Sequence, residues 1–396
     1  MIDLARARRD TPGCETVLHF NNAGASLMPR PVLDAVVRHL ELEARIGGYE
    51  AADQRQAQID AVYASAARLV GASADEIALV ESATRAWQMA FYSLPLRPRD
   101  RVLTGMNEYG SNYIAFLQQA RRTGCVVDVV PNDEHGRLSV DALQGMLDER
   151  VKLVAVTHVP TNGGLVNPAA DIGRVVRHAR ARGLDVLYLL DTCQSVGQMP
   201  IDVAAIGCDM LSATGRKFLR APRGTGFLYV RRDLIPRLEP FVLDDESAHW
   251  AARDRYAVRA DARRFENFER SIAGILGLGA AIDYAMSWGV HITYARLAAL
   301  AVSLRNLLAQ IPGVVVRDLG LERCGIVTFT ADGHDPEEVK RALAARRINV
   351  SVTRVSSTRL DMEARGLAAM VRASVHYYNT EEEVERFVAA VREILR

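Results

Sequence analysis

Lysine is almost absent from this chain. Of its 49 basic residues only Lys152, Lys217 and Lys340 are lysine, and the other 46 are arginine. Where arginine supplies nearly every positive charge, a retained amine needs a reason, because an amine can lose its proton and attack a carbonyl and a guanidinium cannot. Cysteine is scarce as well. Cys14, Cys125, Cys193, Cys208 and Cys324 form no C-x-x-C pair. An odd, scattered set argues against a disulfide framework and a zinc site, so no metal is expected, and it fits a reducing compartment such as the cytoplasm. The formal net charge of +1 leaves no basic excess for nucleic acid. No apolar stretch reaches the ~18 residues of a membrane span. The first twenty residues lack the continuous apolar core of a signal peptide. A G-x-G-x-x-G turn between an early strand and helix is missing, which argues against a dinucleotide-binding enzyme. There is no internal repeat and no low-complexity linker.

What is present describes a globular protein. With 396 residues, 49% hydrophobic and 24% charged, the chain can bury one large core and add a smaller companion. Short apolar runs at 77–80, 101–104, 126–130, 153–156, 186–190 and 226–230 alternate with helical patterns, such as 168–182 with Ile172, Val175, Val176 and Ala179 on one face. Buried strands separated by amphipathic helices predict a mostly parallel sheet covered on both sides. Ligands of such sheets gather at the carboxyl ends of the strands. A long helical stretch, 271–311, leads into a second α+β unit. Its strands are expected at 313–317, 325–330, 348–353 and 370–375, with helices at 335–346 and 380–395. Thr380 and Glu383 open the last helix as a capping box. The expected division is an arm at 1–19, a large domain at 20–270, and a linking helix with a small domain at 271–396; part of the N-terminal region is expected to pack on the small domain.

Polar motifs follow the apolar runs. Ser82-Ala83-Thr84 opens a helix, where free N–H groups and the helix dipole favour an anion. Asp191-Thr192-Cys193-Gln194 follows the run ending at Leu190, where the aspartate reads equally as a cap or as a functional carboxylate. Ser212-Ala213-Thr214-Gly215-Arg216-Lys217 comes next, and then Gly224-Thr225-Gly226. Together with Phe20-Asn21-Asn22-Ala23-Gly24 near the start and Val371-Arg372-Ala373-Ser374 before Tyr378-Asn379-Thr380, this ordered series resembles the class V aminotransferase family. That family belongs to the fold type I pyridoxal-phosphate enzymes and includes the cysteine desulfurases.

The resemblance implies roles for individual residues. Lys217 matches the Schiff-base lysine, which also serves as general acid and base at the substrate Cα. Asp191 matches the carboxylate that pairs with the pyridinium nitrogen, and Gln194 the residue bonded to the cofactor's phenolic oxygen. Ala83, Thr84 and Thr214 fall where the family binds phosphate. Arg216, where desulfurases usually have histidine, is a fixed cation for the same phosphate. Tyr109 takes the place of the aromatic that stacks on the ring; desulfurases use histidine there, and a tyrosine cannot be assumed to perform its proton transfers. Strict spacing puts Thr161 beside the cofactor oxygen, and a one-residue slip, slightly preferred, puts Asn162 there. Arg372 matches the arginine that clamps the substrate α-carboxylate. Asn22, Arg354 and Arg359 are further candidates for substrate contact. The family also implies a homodimer, with the arginine-rich segment 244–264 reaching towards the partner.

A missing residue bears on the reaction. Desulfurases carry a nucleophilic cysteine on a small-domain loop upstream of the carboxylate-binding arginine. The matching stretch here, 351–361, has no cysteine, so nothing on it can attack the substrate sulfur and hold a persulfide. Elimination at Cβ of a cysteine-derived amino acid is the first expectation. Transamination with a 2-oxo acid and epimerisation stay open as alternatives, and so does a cofactor-binding relative without catalytic activity.

Overall fold

The computed structural model describes residues 2–396. Seven strands form the main sheet: β1 (Ile77–Val80), β2 (Arg101–Gly105), β3 (Val126–Val130), β4 (Val151–Thr157), β5 (Leu187–Asp191), β6 (Met210–Thr214) and β7 (Gly226–Val230). Their order is β1-β7-β6-β5-β4-β2-β3. Only β7 runs against its neighbours; the pairs from β6 to β3 are parallel. The mostly parallel sheet is as expected, with one strand more than the apolar runs suggest. Met210-Leu211-Ser212-Ala213-Thr214 is too mixed in polarity to read as such a run, yet all five residues are buried.

Helices cover both faces because each carries an apolar stripe. On one side Trp87, Phe91 and Phe116 pack edge and face together, with centroids 4.7–5.3 Å apart. On the other, helix Ala169–Ala181 buries Ile172, Val176 and Ala179 and leaves Val175 at the rim. Both faces of the central strands are therefore dry, which suits their continuous apolar sequence.

The stretch 271–311 is two helices rather than one. Ile272–Trp288 and Val290–Leu308 meet at 79°, turning at Gly289, whose φ of +79° is a glycine conformation. Among the described residues no single helix is long and apolar enough to cross a membrane. Beyond the bend lies an antiparallel sheet of β8 (Val314–Val316), β9 (Ile326–Ala331), β10 (Ser351–Arg354) and β11 (Ala369–Ser374), in the order β8-β9-β11-β10. The run 348–353 splits. Ile348–Asn349 pairs in parallel with Leu18–His19, and only the residues after Val350 join the small sheet. The capping box at Thr380 and Glu383 is present.

The N-terminal region lies along the small domain. Ala7 packs with Tyr377 and Tyr378, and Ser374 N–H donates to Phe20 O at 2.7 Å. This path carries Ala23 and Gly24 to the carboxyl ends of the main sheet.

Candidate active site

A cavity of about 230 Å³ opens at the carboxyl ends of β1, β4, β5 and β6 and the amino end of β7. Its lining includes Ala83, Thr84, Tyr109, Thr161, Asp191, Gln194, Thr214, Arg216 and Lys217. Residues separated by more than 130 positions thus converge for one topological reason: in this sheet the chain leaves successive strands at one edge.

One end of the cavity is built for an anion. Ser82 caps helix Ala83–Tyr92 by accepting from Arg85 N–H at 3.1 Å, so the first-turn amides of Ala83 and Thr84 have no partner inside the helix. Gly226 permits the close approach of β7: a Cβ there would lie 2.5 Å from Ala213 O and 3.2 Å from Ala83 N. Arg216 and Arg223 bring positive charge to the same lining. Arg216 is anchored by Nη1 donating to Gly24 O at 3.0 Å.

The other end carries a carboxylate. Asp191 closes β5, buried, with Oδ1 accepting from Cys193 N–H at 2.8 Å and Oδ2 from Asn112 Nδ2 at 2.9 Å. Burial pushes its carboxyl above the usual range, opposed by the Asn112 and Cys193 bonds and by the Lys217 charge. Between the two ends sits Lys217, whose Nζ lies 3.1 Å from Cys193 Sγ. Burial holds this amine below its ordinary pKa, and the neighbouring Arg216 and Arg372 charges act the same way. An amine so disposed deprotonates more readily and becomes nucleophilic.

Gln194 reaches in from the side. Its Nε2 donates to Ala23 O and to Thr161 Oγ1, both at 3.2 Å, while its buried Oε1 has no partner. A buried acceptor left open costs about 1–3 kcal/mol unless something bonds it, so the site has an unfilled place for a donor. Anion cradle, low-pKa amine, open amide oxygen and terminal carboxylate match the phosphate, aldehyde, hydroxyl and ring nitrogen of pyridoxal phosphate. The residues present fit that group.

Arg372 stands behind Thr161 on β11. Nη1 donates to Thr161 O at 3.0 Å and to Thr161 Oγ1 at 2.6 Å, and Nε to Ser351 Oγ at 3.0 Å. Burial lowers its pKa to about 10, which still leaves it charged at neutral pH.

Four candidates fall elsewhere. Asn162 turns to the small domain, donating to Arg354 O and Met362 Sδ and accepting from Thr353 Oγ1; of the two alternatives it is Thr161 that faces the cavity. Asn22 is buried with its amide used up, donating to Ser374 O at 2.7 Å and accepting from Tyr378 OH at 2.5 Å. Arg354 and Arg359 lie on the surface, paired with Glu337 and Glu363. Segment 351–361 folds back into a strand, a short turn and a helix instead of projecting inward, so its arginines meet solvent.

Glu81, Cys193, Arg223 and Gly224 also line the cavity, and Glu108 and Asn112 stand behind Asp191; none of the six is a candidate from the motifs alone. Glu108 and Asn112 were legible as a carboxylate and an amide four residues apart around a helix start. Nothing in the sequence says that they meet Asp191.

Comparison with known proteins agrees with this geometry. The family model described as "Aminotransferase class-V" matches residues 18–387. A protein of Methanothermobacter thermautotrophicus named "Probable cysteine desulfurase" is 30% identical over 98% of this chain and 97% of its own. One of the same name from Xylella fastidiosa is 31% identical over 99% and 95%. Among solved structures, a cysteine desulfurase of Thermococcus onnurineus superposes with a TM-score of 0.91 at 24% identity, covering 100% of this chain and 98% of that one. The cystine C–S lyase C-DES, in complex with its product cysteine persulfide, gives 0.85 at 22% over 97% and 99%. At these identities the structural likeness speaks for the fold.

Proposed function

The chain belongs to the class V aminotransferase family and is a pyridoxal-phosphate-dependent enzyme, and from that premise we propose that it cleaves the Cβ–S bond of a cysteine-derived amino acid by β-elimination. The absence of cysteine from 351–361 carries this choice. Without a thiolate there, sulfur departs with the leaving group instead of passing to the enzyme.

The bound cofactor supplies an electron sink for the pair left when the Cα–H bond breaks. The rest belongs to this chain. Arg372 takes the substrate α-carboxylate, since its Nη2 has no partner among the described residues while Nη1 and Nε fix the plane of the fork. Thr161 orients both Arg372 and Gln194. Lys217 anchors the cofactor and then moves the Cα proton, its amine kept basic but readily neutral by burial. Asp191 would hold the ring nitrogen's proton, and Tyr109 would lie over the ring. The first-turn amides at Ala83 and Thr84, with Thr214 and Arg216, would bind the phosphate. Loss of the Cα proton and departure of sulfur with the Cβ–S electron pair leave a three-carbon fragment. Addition of water to that fragment gives pyruvate and ammonia.

Incubation of the purified protein with cystine and S-substituted cysteines, followed by product analysis, tests this reading. Pyruvate, ammonia and a sulfur-bearing leaving group in equal amounts are expected. Alanine as the carbon product means desulfuration instead, a requirement for added 2-oxo acid means transamination, and the D-amino acid means epimerisation. We also propose a homodimer in which the exposed aromatics of 241–268, Phe241, Trp250, Tyr256 and Phe268, meet the partner. Light scattering should give twice the 43.6 kDa chain mass.

A further inference from the structure

Behind Asp191 stands a second buried carboxylate. Glu108, in the loop after β2, accepts from Thr104 Oγ1 at 3.1 Å, Thr157 N–H at 3.0 Å, Thr157 Oγ1 at 2.5 Å, Tyr109 N–H at 3.0 Å and Asn112 Nδ2 at 2.8 Å. Every donor in that set is neutral. Asn112 Nδ2 is also the atom that donates to Asp191 Oδ2 at 2.9 Å. One amide nitrogen therefore points a hydrogen at each of two buried carboxylates.

This arrangement is short of positive charge. Two carboxylates joined by one amide repel each other, and burial magnifies the repulsion. Lys217 and Cys193 face Asp191, while Asp191 is the charged group felt at Glu108. Burial accordingly raises the Glu108 carboxyl to about 7, with the field of Asp191 adding to it and the bonds from Thr157, Asn112 and Tyr109 pulling down. A proton on the cofactor's ring nitrogen, against Asp191, would supply the missing charge.

We propose that Glu108 is a positioning residue for the cofactor: through Asn112 it fixes the orientation of Asp191 and adds the negative charge that keeps the ring nitrogen protonated. The proposal rests on the reading that Asp191 faces that nitrogen. It also gives a reason for the Tyr109 site. The Glu108 carboxylate takes the Tyr109 N–H and reaches Asp191 through Asn112, so the residue that would cover the ring and the residue that would face its nitrogen are tied to one side chain.

The experiment uses pyridoxal phosphate labelled with 15N in the ring, bound to the wild type and to Glu108→Gln, Asn112→Ser and Asp191→Asn. The readouts are the ring-nitrogen chemical shift from pH 6 to pH 9 and the cofactor dissociation constant. Wild type should show the protonated nitrogen throughout. Glu108→Gln keeps the side-chain shape and removes the charge, so the nitrogen should lose its proton within that range and cofactor affinity should fall about tenfold or more, the worth of one charge-assisted bond. Asn112→Ser cuts the bridge alone and should weaken affinity similarly; it carries the test if Glu108→Gln does not fold. A protonated nitrogen and unchanged affinity in both variants, with a deprotonated nitrogen in Asp191→Asn, would overturn the proposal and leave the Asp191 reading standing. An unchanged signal in Asp191→Asn would overturn that reading itself, and this proposal with it.

Discussion

Replacing Arg372 by lysine separates charge from geometry at the place where the substrate carboxylate is proposed to bind. Lysine keeps the positive charge but offers a point instead of a fork. In the wild type, Nη1 and Nε are committed to Thr161 and Ser351, so the plane of the guanidinium is set before substrate arrives. The one nitrogen left free among the described residues, Nη2, can then give a carboxylate a charge-assisted bond in a preset direction, which a mobile ammonium does not reproduce. A hydrogen bond to a charged group is worth about 1.5–3 kcal/mol, and 1.4 kcal/mol is a factor of about ten. Arg372→Lys should therefore lower kcat/KM for an amino-acid substrate by roughly 10- to 150-fold. The cofactor's visible absorbance should persist, because Lys217, the proposed covalent anchor, is not in that bond set. Steady-state kinetics on the amino acid and on its decarboxylated amine provide the assay. The amine has no carboxylate to lose, so its poor turnover should be the same in both proteins. A loss below threefold for the amino acid, or an equal loss for the amine, would show that Arg372 does not bind the carboxylate.

Other expectations follow from the same geometry. Lys217→Ala should abolish turnover and the visible absorbance of the covalently held cofactor, as spectrophotometry of the reconstituted protein would record. Gly226→Ala pushes a methyl towards Ala213 O and Ala83 N, both backbone atoms; it should weaken cofactor binding and lower the melting temperature, measurable by fluorescence titration and calorimetry. Arg354→Ala and Arg359→Ala break exposed pairs and should change stability by less than about 1 kcal/mol and turnover less than about twofold on the scale of such weak effects. In the cofactor-free protein, Glu108 has a folded pKa of about 7 against an ordinary 4.5. Its contribution is fully present below 4.5 and is lost as pH rises through 7, about 3 kcal/mol in all. Denaturant midpoints of the cofactor-free wild type should fall more steeply across pH 4.5–7 than those of Glu108→Gln.

Much of this molecule is legible in its sequence. Apolar runs long enough to be buried, each followed by an amphipathic helix, dictate a covered parallel sheet, because strands wet on neither face have no other way to satisfy their side chains. Lys217 stands out by the rarity of lysine, and the order of Thr84, Asp191, Gln194, Thr214 and Lys217 along the chain carries the resemblance to the family, which implies the cofactor. Strand β6 escaped because Ser212 and Thr214 are buried for the site they serve, and composition cannot distinguish that from exposure. The bend at Gly289 was hidden because helical periodicity continues on both sides of it.

What lay beyond the sequence was direction. Whether Thr161 or Asn162 faces the cavity is a matter of which side chain points inward after β4, and a one-residue difference reverses the answer. Arg354 and Arg359 carry the right charge, but their segment turns outward and surface carboxylates claim them. Glu108 and Asn112 are ordinary residues at a helix start until the sheet brings β5 beside that loop. Local chemistry along the chain determined which cofactor this protein binds. Tertiary structure alone decided which polar groups share a buried space, because low dielectric and fixed distance arise only when distant segments pack.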